Sequence, residues 1–194
     1  RQNSAYFPKY RYLSNTLLYI IEDAMRFFLT AKAWQVFLLI MASMFVGAFI
    51  QPAPANFNIL MLSTLVFMAV WAAWLWSIAN ASNNKLEPPL RKSPRLMVVG
   101  LVIAASYLLM APWLWPDMRT GQGGIPALMV PMHLLAMLGI FYALVFTANR
   151  LTTLERKQQV SFFDYSGPFF LLWFFPIGIW FIQPRVNKLL GNDA

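Results

Sequence analysis

Long apolar runs separated by short polar connections dominate the chain between residues 34 and 148. Each run is close to the roughly 20 residues that an α-helix needs to cross about 30 Å of hydrocarbon. Strands of a membrane barrel would be shorter and would alternate apolar with polar residues, so the pattern excludes a barrel. It predicts four transmembrane helices in one bundle, at 34–50, 59–78, 96–115 and 125–147.

The segment before these runs, residues 1–33, has a different pattern. Its apolar residues recur at helical spacing from Leu17 to Phe28, while Glu22, Asp23 and Arg26 fall mainly on the other side. Three charges in the middle of a helix make a membrane crossing costly. We therefore expect an amphipathic helix that lies in the membrane interface or packs on the cytoplasmic end of the bundle.

The last apolar run, in residues 149–194, raises the question of whether it crosses the membrane. From Pro168 to Gln183 there are 16 residues, about 24 Å as a helix, which is short of a full crossing. Pro176 removes a backbone hydrogen bond, and Gly178 loosens the same place. The segment 168–183 is therefore either a short fifth span or a re-entrant or interfacial segment, and its length favours the second interpretation.

Basic residues are concentrated in three places: before the first run, between residues 81 and 95, and between residues 149 and 167. The positive-inside rule puts these three regions in the cytoplasm. Arg185 and Lys188 would lie with them if 168–183 turns back, and outside with Arg119 if it crosses. The distribution of charge therefore also favours re-entry.

The stretch FFDYSGPFFLLWFFPIGIWFIQPRVNKLL, residues 162–190, resembles the C-terminal signature of uncharacterised small multi-span membrane proteins of Bacteroidota-type bacteria. The resemblance covers about the last 30 residues and little of the rest. It implies the cytoplasmic (inner) membrane of a bacterium, and it implies no activity and no site residues.

Composition narrows the possible functions. Hydrophobic residues make up 59% of the chain and charged residues 11%, whereas soluble domains carry about 25% charged residues. The net charge of +8 comes from flanks of apolar runs, which is typical of membrane topology and does not indicate a nucleic-acid partner. With no cysteine and one histidine, a thiolate or two-histidine metal site cannot form within one chain. No metal site and no cofactor is predicted.

No predicted span contains Asp, Glu, Lys or Arg, and the phosphate-loop, HExxH and GxSxG patterns are absent from the sequence. No catalytic residue is predicted. His133, inside the fourth predicted span, is a candidate proton or ligand group, with Ser106 and Tyr107 as possible partners at similar depth. Axial ligation of a haem or chlorin by His133 is one alternative, and a structural hydrogen bond to a neighbouring helix is another.

Asp164 is the second candidate for a ligand or proton site. It could bind a cation, pair with Arg185, or cap the start of a helix. A separate set of basic residues could bind lipid phosphates, although flanking charges that only fix topology are the plainer interpretation. That set is Arg185, Lys188, Arg91, Lys92 and Arg95.

Pairs of small residues four positions apart could let helix backbones approach closely, either inside the protein or between subunits. They are Ser43 and Gly47, Ala69 and Ala73, Gly100 and Ala104, and Gly139 and Ala143.

Three classes of function follow from the sequence. The first is a non-enzymatic membrane protein that acts by assembly, with lipid and either other copies of itself or other membrane subunits as partners. The second is a small oligomeric channel or transporter lined by 169–183 and His133. The third is a membrane enzyme or cofactor protein that uses His133 and Asp164. The absence of charged groups in the spans favours the first.

Overall fold

A computed structural model describes residue 19 and the ranges 22–49, 57–115 and 126–191. Within these ranges the protein is helical and has no strand, as the hydrophobic pattern predicts. The helices are α1 (22–30), α2 (Ala33–Ala48), α3 (Phe57–Lys85), α4 (Arg95–Leu114), α5 (Met129–Arg156), α6 (Phe162–Trp173) and α7 (Phe175–Leu190), and a short 3-10 turn, Pro88–Leu90, lies before α4.

Helices α3, α4 and α5 are long and apolar enough to cross a membrane. The chain is therefore a helical membrane protein. Helix α2 has 16 residues, about 24 Å, and is apolar but shorter than these three. The fourth spanning helix, and with it the four-helix bundle, stays a prediction. Helices α3 and α5 have 29 and 28 residues, and both continue beyond the predicted spans into the polar sequence at their C-terminal ends.

Helix α5 is central, because it contacts α3, α4 and α6. It meets α4 through two glycines: a Cβ atom on Gly100 would lie 2.8 Å from the Cα of Gly139. The next small residues along the two helices, Ala104 and Ala143, are also buried. These two pairs of small residues therefore serve packing within the chain, where close backbone approach holds two apolar helices together.

Helices α6 and α7 form a helix–break–helix unit, which we call the C-terminal hairpin (residues 162–190). The break is at Phe174, whose φ of −88° and ψ of 53° are not helical. Pro176 is the second residue of α7, where its missing N–H has no helical partner to lose. Gly178 lies against the backbone of Leu171, where a Cβ atom would overlap the carbonyl group. The glycine lets the two helices touch directly.

Both ends of this hairpin lie at the same end of the protein. Asp164 at the start of α6 pairs with Arg156, and Arg185 near the end of α7 pairs with Glu155. The tip lies deeper: the ring of Trp173 is 4.5 Å from that of Phe141. Phe141 precedes Arg156 by 15 residues, or about 22 Å of helix. The tip of the hairpin therefore lies beside the middle of α5, well away from the two ends of the hairpin.

The charged residues of the described ranges are confined to a few places along the chain. The described stretches 33–49, 57–84, 96–115, 126–149 and 165–184 contain no Asp, Glu, Lys or Arg. The charged residues lie on α1, at the junction with α2, around the α3–α4 connection, in the last two turns of α5, and near the two ends of the hairpin. We call the end formed by the α3–α4 connection, the last turns of α5 and the ends of the hairpin the basic end.

Candidate functional site

His133 and Tyr107 lie side by side on the α4–α5 pair. Their ring centroids are 5.5 Å apart in an edge-on arrangement. His133 and the neighbouring Ser106 are exposed, and among the described residues no hydrogen bond to the imidazole is found. The structure thus brings Tyr107 and His133 together on an outer face and not in a polar pocket, whereas Ser106 is exposed on α4 and no contact joins it to His133 in the described part of the chain.

Asp164 is far from that face. It adjoins Arg156, which follows His133 on α5 by 23 residues, or about 35 Å of helix. Its Oδ2 accepts hydrogen bonds from the backbone N–H and the Oγ of Ser161, at 2.8 and 2.7 Å, which closes the first turn of α6. The Ser161 hydrogen bonds, together with the charge of Arg156, hold the pKa of Asp164 below its ordinary value. Asp164 therefore acts as an ionised helix cap and shares no site with His133.

Arg185 is held by Glu155, which accepts from its Nε at 2.6 Å and also from its terminal Nη2. Such two-pronged pairs fix the geometry of both side chains. The adjacent residue Arg156 holds Asp164 at the other end of the hairpin. Two consecutive residues of α5 thus fasten both helices of the hairpin. Arg185 is engaged with a carboxylate, whereas the predicted lipid-phosphate residues Arg91, Lys92, Arg95 and Lys188 are exposed.

Arg150 is a site residue that the sequence analysis missed. Its side chain is fully buried on α5, with 2% of the residue exposed. Its Nη1 donates to the carbonyl oxygen of Leu90 at 2.6 Å, and its Nε and Nη2 donate to Oδ1 of Asn149. The guanidinium also lies 5.8 Å from the centre of the Phe146 ring. No carboxylate pairs with it among the described residues.

A polar cavity of about 80 Å³ adjoins this arginine at the basic end. It is lined by Arg150 and by residues of the α3–α4 connection and of the segment after α5. These are Pro89, Leu90, Arg91, Lys92, Asn149, Thr153, Gln159 and Val160. The cavity thus gathers three cationic side chains and no acidic one.

Gln183 is the second buried polar residue that the sequence analysis missed. Its Oε1 accepts from the indole N–H of Trp74 at 3.0 Å, and its Nε2 donates to the carbonyl oxygens of Phe28 and Ala31 at 2.7 and 3.0 Å. This one amide joins α7 to α3 and to the junction of α1 and α2. The sequence does contain a signal for this role, because Gln183 is a polar residue at the end of an otherwise apolar stretch.

An apolar cleft of about 220 Å³ lies beside the tip of the hairpin. It is lined by Phe67, Met68, Trp71, Met137, Ile140, Phe141, Leu144, Trp173 and Phe175. The indole N–H of Trp71 is buried and has no hydrogen-bond partner. The cleft offers no polar path along the hairpin. Among the described residues no group of three or more potential metal ligands occurs.

No protein-family profile matches the chain, and no curated protein or solved structure is significantly similar to it. The resemblance of residues 162–190 to small bacterial membrane proteins stays an expectation. The function must be argued from the geometry of the chain itself.

Proposed function

We propose that this protein is a non-enzymatic multi-span membrane protein that acts by assembly, as an accessory subunit of a membrane complex or as a homo-oligomer. The observation that carries the proposal is the small share of each spanning helix buried within one chain. In the most apolar 18-residue windows of α3, α4 and α5, 22%, 28% and 22% of the residues are buried. Most of the helical surface is therefore free to contact lipid or other helices.

The exposed surface of the α4–α5 pair, which carries Ser106 on α4 and the Tyr107–His133 pair between the helices, is the proposed contact between subunits. Polar side chains that face hydrocarbon are costly, and hydrogen bonding between helices relieves that cost. Helix α4 makes its main contact with α5 and a small one with α3. Most of the surface of α4 thus remains for a partner.

The proposed membrane is the cytoplasmic membrane of a bacterium. The basic end, and with it the N-terminal segment, faces the cytoplasm by the positive-inside rule. The C-terminal hairpin enters the membrane from that side and returns to it as a re-entrant element. On either side of its irregular backbone at Phe174, the rings of Trp173 and Phe175 pack against Phe141 of α5 and Phe67 of α3, which gives the break part of the protein contact that a membrane-embedded break needs.

The two other functional classes have weaker support. A channel lined by 169–183 and His133 would need a polar path, whereas the space beside the tip of the hairpin is apolar. An enzyme that uses His133 together with Asp164 would need them close, whereas about 35 Å of helix separates His133 from the partner of Asp164.

Disulfide cross-linking in native membranes tests the proposal, because the chain has no cysteine of its own. Ser106→Cys should give a cross-linked dimer on mild oxidation if copies meet at this face, or a cross-link to another protein if the partner is different. Leu62→Cys, on the exposed face of α3, is the matched control and should remain monomeric. A monomeric Ser106→Cys variant, together with a monomeric mass in lipid nanodiscs, would contradict assembly through this face.

A further inference from the structure

The charge of Arg150 is not balanced by any described residue. A guanidinium has five N–H donors, and three of them are engaged, two with Asn149 and one with the carbonyl of Leu90. All of these acceptors are neutral. A buried cation without an opposite charge is costly, and natural proteins generally pair such groups. Two donors and one full charge are therefore available at this buried position.

The cavity beside Arg150 supplies a place for the missing anion. By the same kind of measure, one water molecule needs about 10–15 Å³, so about 80 Å³ accommodates a group of several heavy atoms. Arg91 and Lys92 line the cavity from the α3–α4 connection, and Thr153 lines it from α5. The Nε of Arg91 donates to the carbonyl of Leu86, which fixes the orientation of its guanidinium.

We propose that this cavity is a binding site for a phosphate-type oxyanion, held by Arg150 from below and by Arg91 and Lys92 from the sides. Arginine forks match the oxygen atoms of phosphate, and lysine adds a mobile positive charge. The anion is either the headgroup of an anionic phospholipid or a free phosphate, since both present the same oxygen atoms. The proposal is independent of assembly at the α4–α5 face.

The test measures thermal unfolding by tryptophan fluorescence, with the full chain in phosphatidylcholine nanodiscs. The probes are inorganic phosphate, dioctanoyl phosphatidic acid and dioctanoyl phosphatidylcholine, with sodium chloride at matched ionic strength. We expect phosphate or phosphatidic acid to raise the midpoint temperature by several degrees, and phosphatidylcholine and chloride to have little effect. A response to inorganic phosphate identifies a free-anion site, and a response to phosphatidic acid alone identifies a headgroup site.

Three variants test whether the stabilisation by anionic probes comes from binding in this cavity. Arg150→Gln and Lys92→Gln should each weaken the apparent affinity about tenfold or more, because each removes a charge-assisted hydrogen bond. Lys157→Gln removes an exposed charge of the segment after α5 that does not line the cavity, and should leave the affinity unchanged. If Arg150→Gln does not fold, the comparison of Lys92→Gln with Lys157→Gln decides. No stabilisation by either anionic probe, or equal losses in Lys92→Gln and Lys157→Gln, would overturn the proposal.

Discussion

The close contact at Gly178 gives the sharpest test of the C-terminal hairpin. In Gly178→Ala, the new methyl carbon would overlap the carbonyl group of Leu171 and lie 2.9 Å from its Cα. Ordinary contacts of a Cβ begin at 3.4 Å, and backbone atoms cannot rotate away as a side chain can. The two helices must therefore separate. Overpacking of this kind costs about 1–3 kcal/mol, and contact with a fixed carbonyl places this case at the upper end, about 3 kcal/mol.

Gly167→Ala is the matched control in the same hairpin. Gly167 lies within α6, and apart from its two chain neighbours a Cβ atom there would have no neighbour within 4 Å. Alanine is a better helix former than glycine, by about 0.8–1.0 kcal/mol, but its Cβ is crowded by the ring of the following Pro168. The control should therefore be close to neutral, which separates the two variants by about 3 kcal/mol.

The assay is reversible unfolding of both variants and the wild type in mixed micelles, with increasing amounts of a denaturing detergent. Circular dichroism reports the helix content, and tryptophan fluorescence reports the packing around the eight tryptophans, two of which, Trp173 and Trp180, lie in the hairpin. We expect an earlier midpoint for Gly178→Ala and an unchanged or later midpoint for Gly167→Ala. Equal stability of the two variants would refute the argument, because the tight crossing of α6 and α7 would then not exist.

The remaining predictions concern topology, the buried amide and the helix cap. Ser93→Cys and Lys188→Cys, at two exposed positions, should react with a membrane-impermeant thiol reagent from the same side of the membrane. Ala127→Cys, also at an exposed position, should react from the opposite side. If Lys188→Cys is labelled from the same side as Ala127→Cys, the hairpin crosses the membrane. Gln183→Leu should lower the unfolding free energy by about 2–4 kcal/mol, since it leaves the buried indole donor of Trp74 and the carbonyl oxygen of Phe28 without this partner, while Ala31 keeps the hydrogen bond from Asn187. An unchanged denaturation midpoint would show that this amide is not needed. The pKa of Asp164 is lower in the folded protein than its ordinary value of 3.8. Its carboxylate therefore stabilises the fold at pH values above 3.8, and this contribution is lost as the pH falls through the lower pKa of the folded state. Asp164→Asn should therefore flatten the fall in midpoint temperature below about pH 4, and an identical pH profile would contradict the cap.

The hydrophobic pattern was sufficient to predict an all-helical membrane protein, because runs of about 20 apolar residues have few other solutions. The second, third and fourth predicted spans overlap α3, α4 and α5 of the structure. The pattern did not show that α3 and α5 continue seven and nine residues beyond the predicted spans at their C-terminal ends, since helix ends depend on local contacts as well as on the pattern.

The site residues were harder to predict, because their roles depend on contacts across long sequence separations. Asp164 was predicted to bind a cation, to pair with Arg185 or to cap a helix, and in the structure it closes the capping box of α6 and pairs with Arg156. The break of the hairpin lies at Phe174, two residues before Pro176, because proline disfavours the helical turn that precedes it. In the sequence, Arg150 is indistinguishable from the other charges that flank apolar runs. The folded chain shows that its side chain is buried and that no carboxylate among the described residues pairs with it.

The arrangement of charges in the hairpin has a consequence for biogenesis. Residues 165–184 carry no charged side chain, and the charges on either side of them face the last turn of α5. If the hairpin is re-entrant, no charged group and no polar loop has to be translocated for it to reach its final position. The hairpin can therefore insert once α3 and α5 provide the surface that receives it. Its insertion would then need neither the membrane potential nor the motor that exports polar domains.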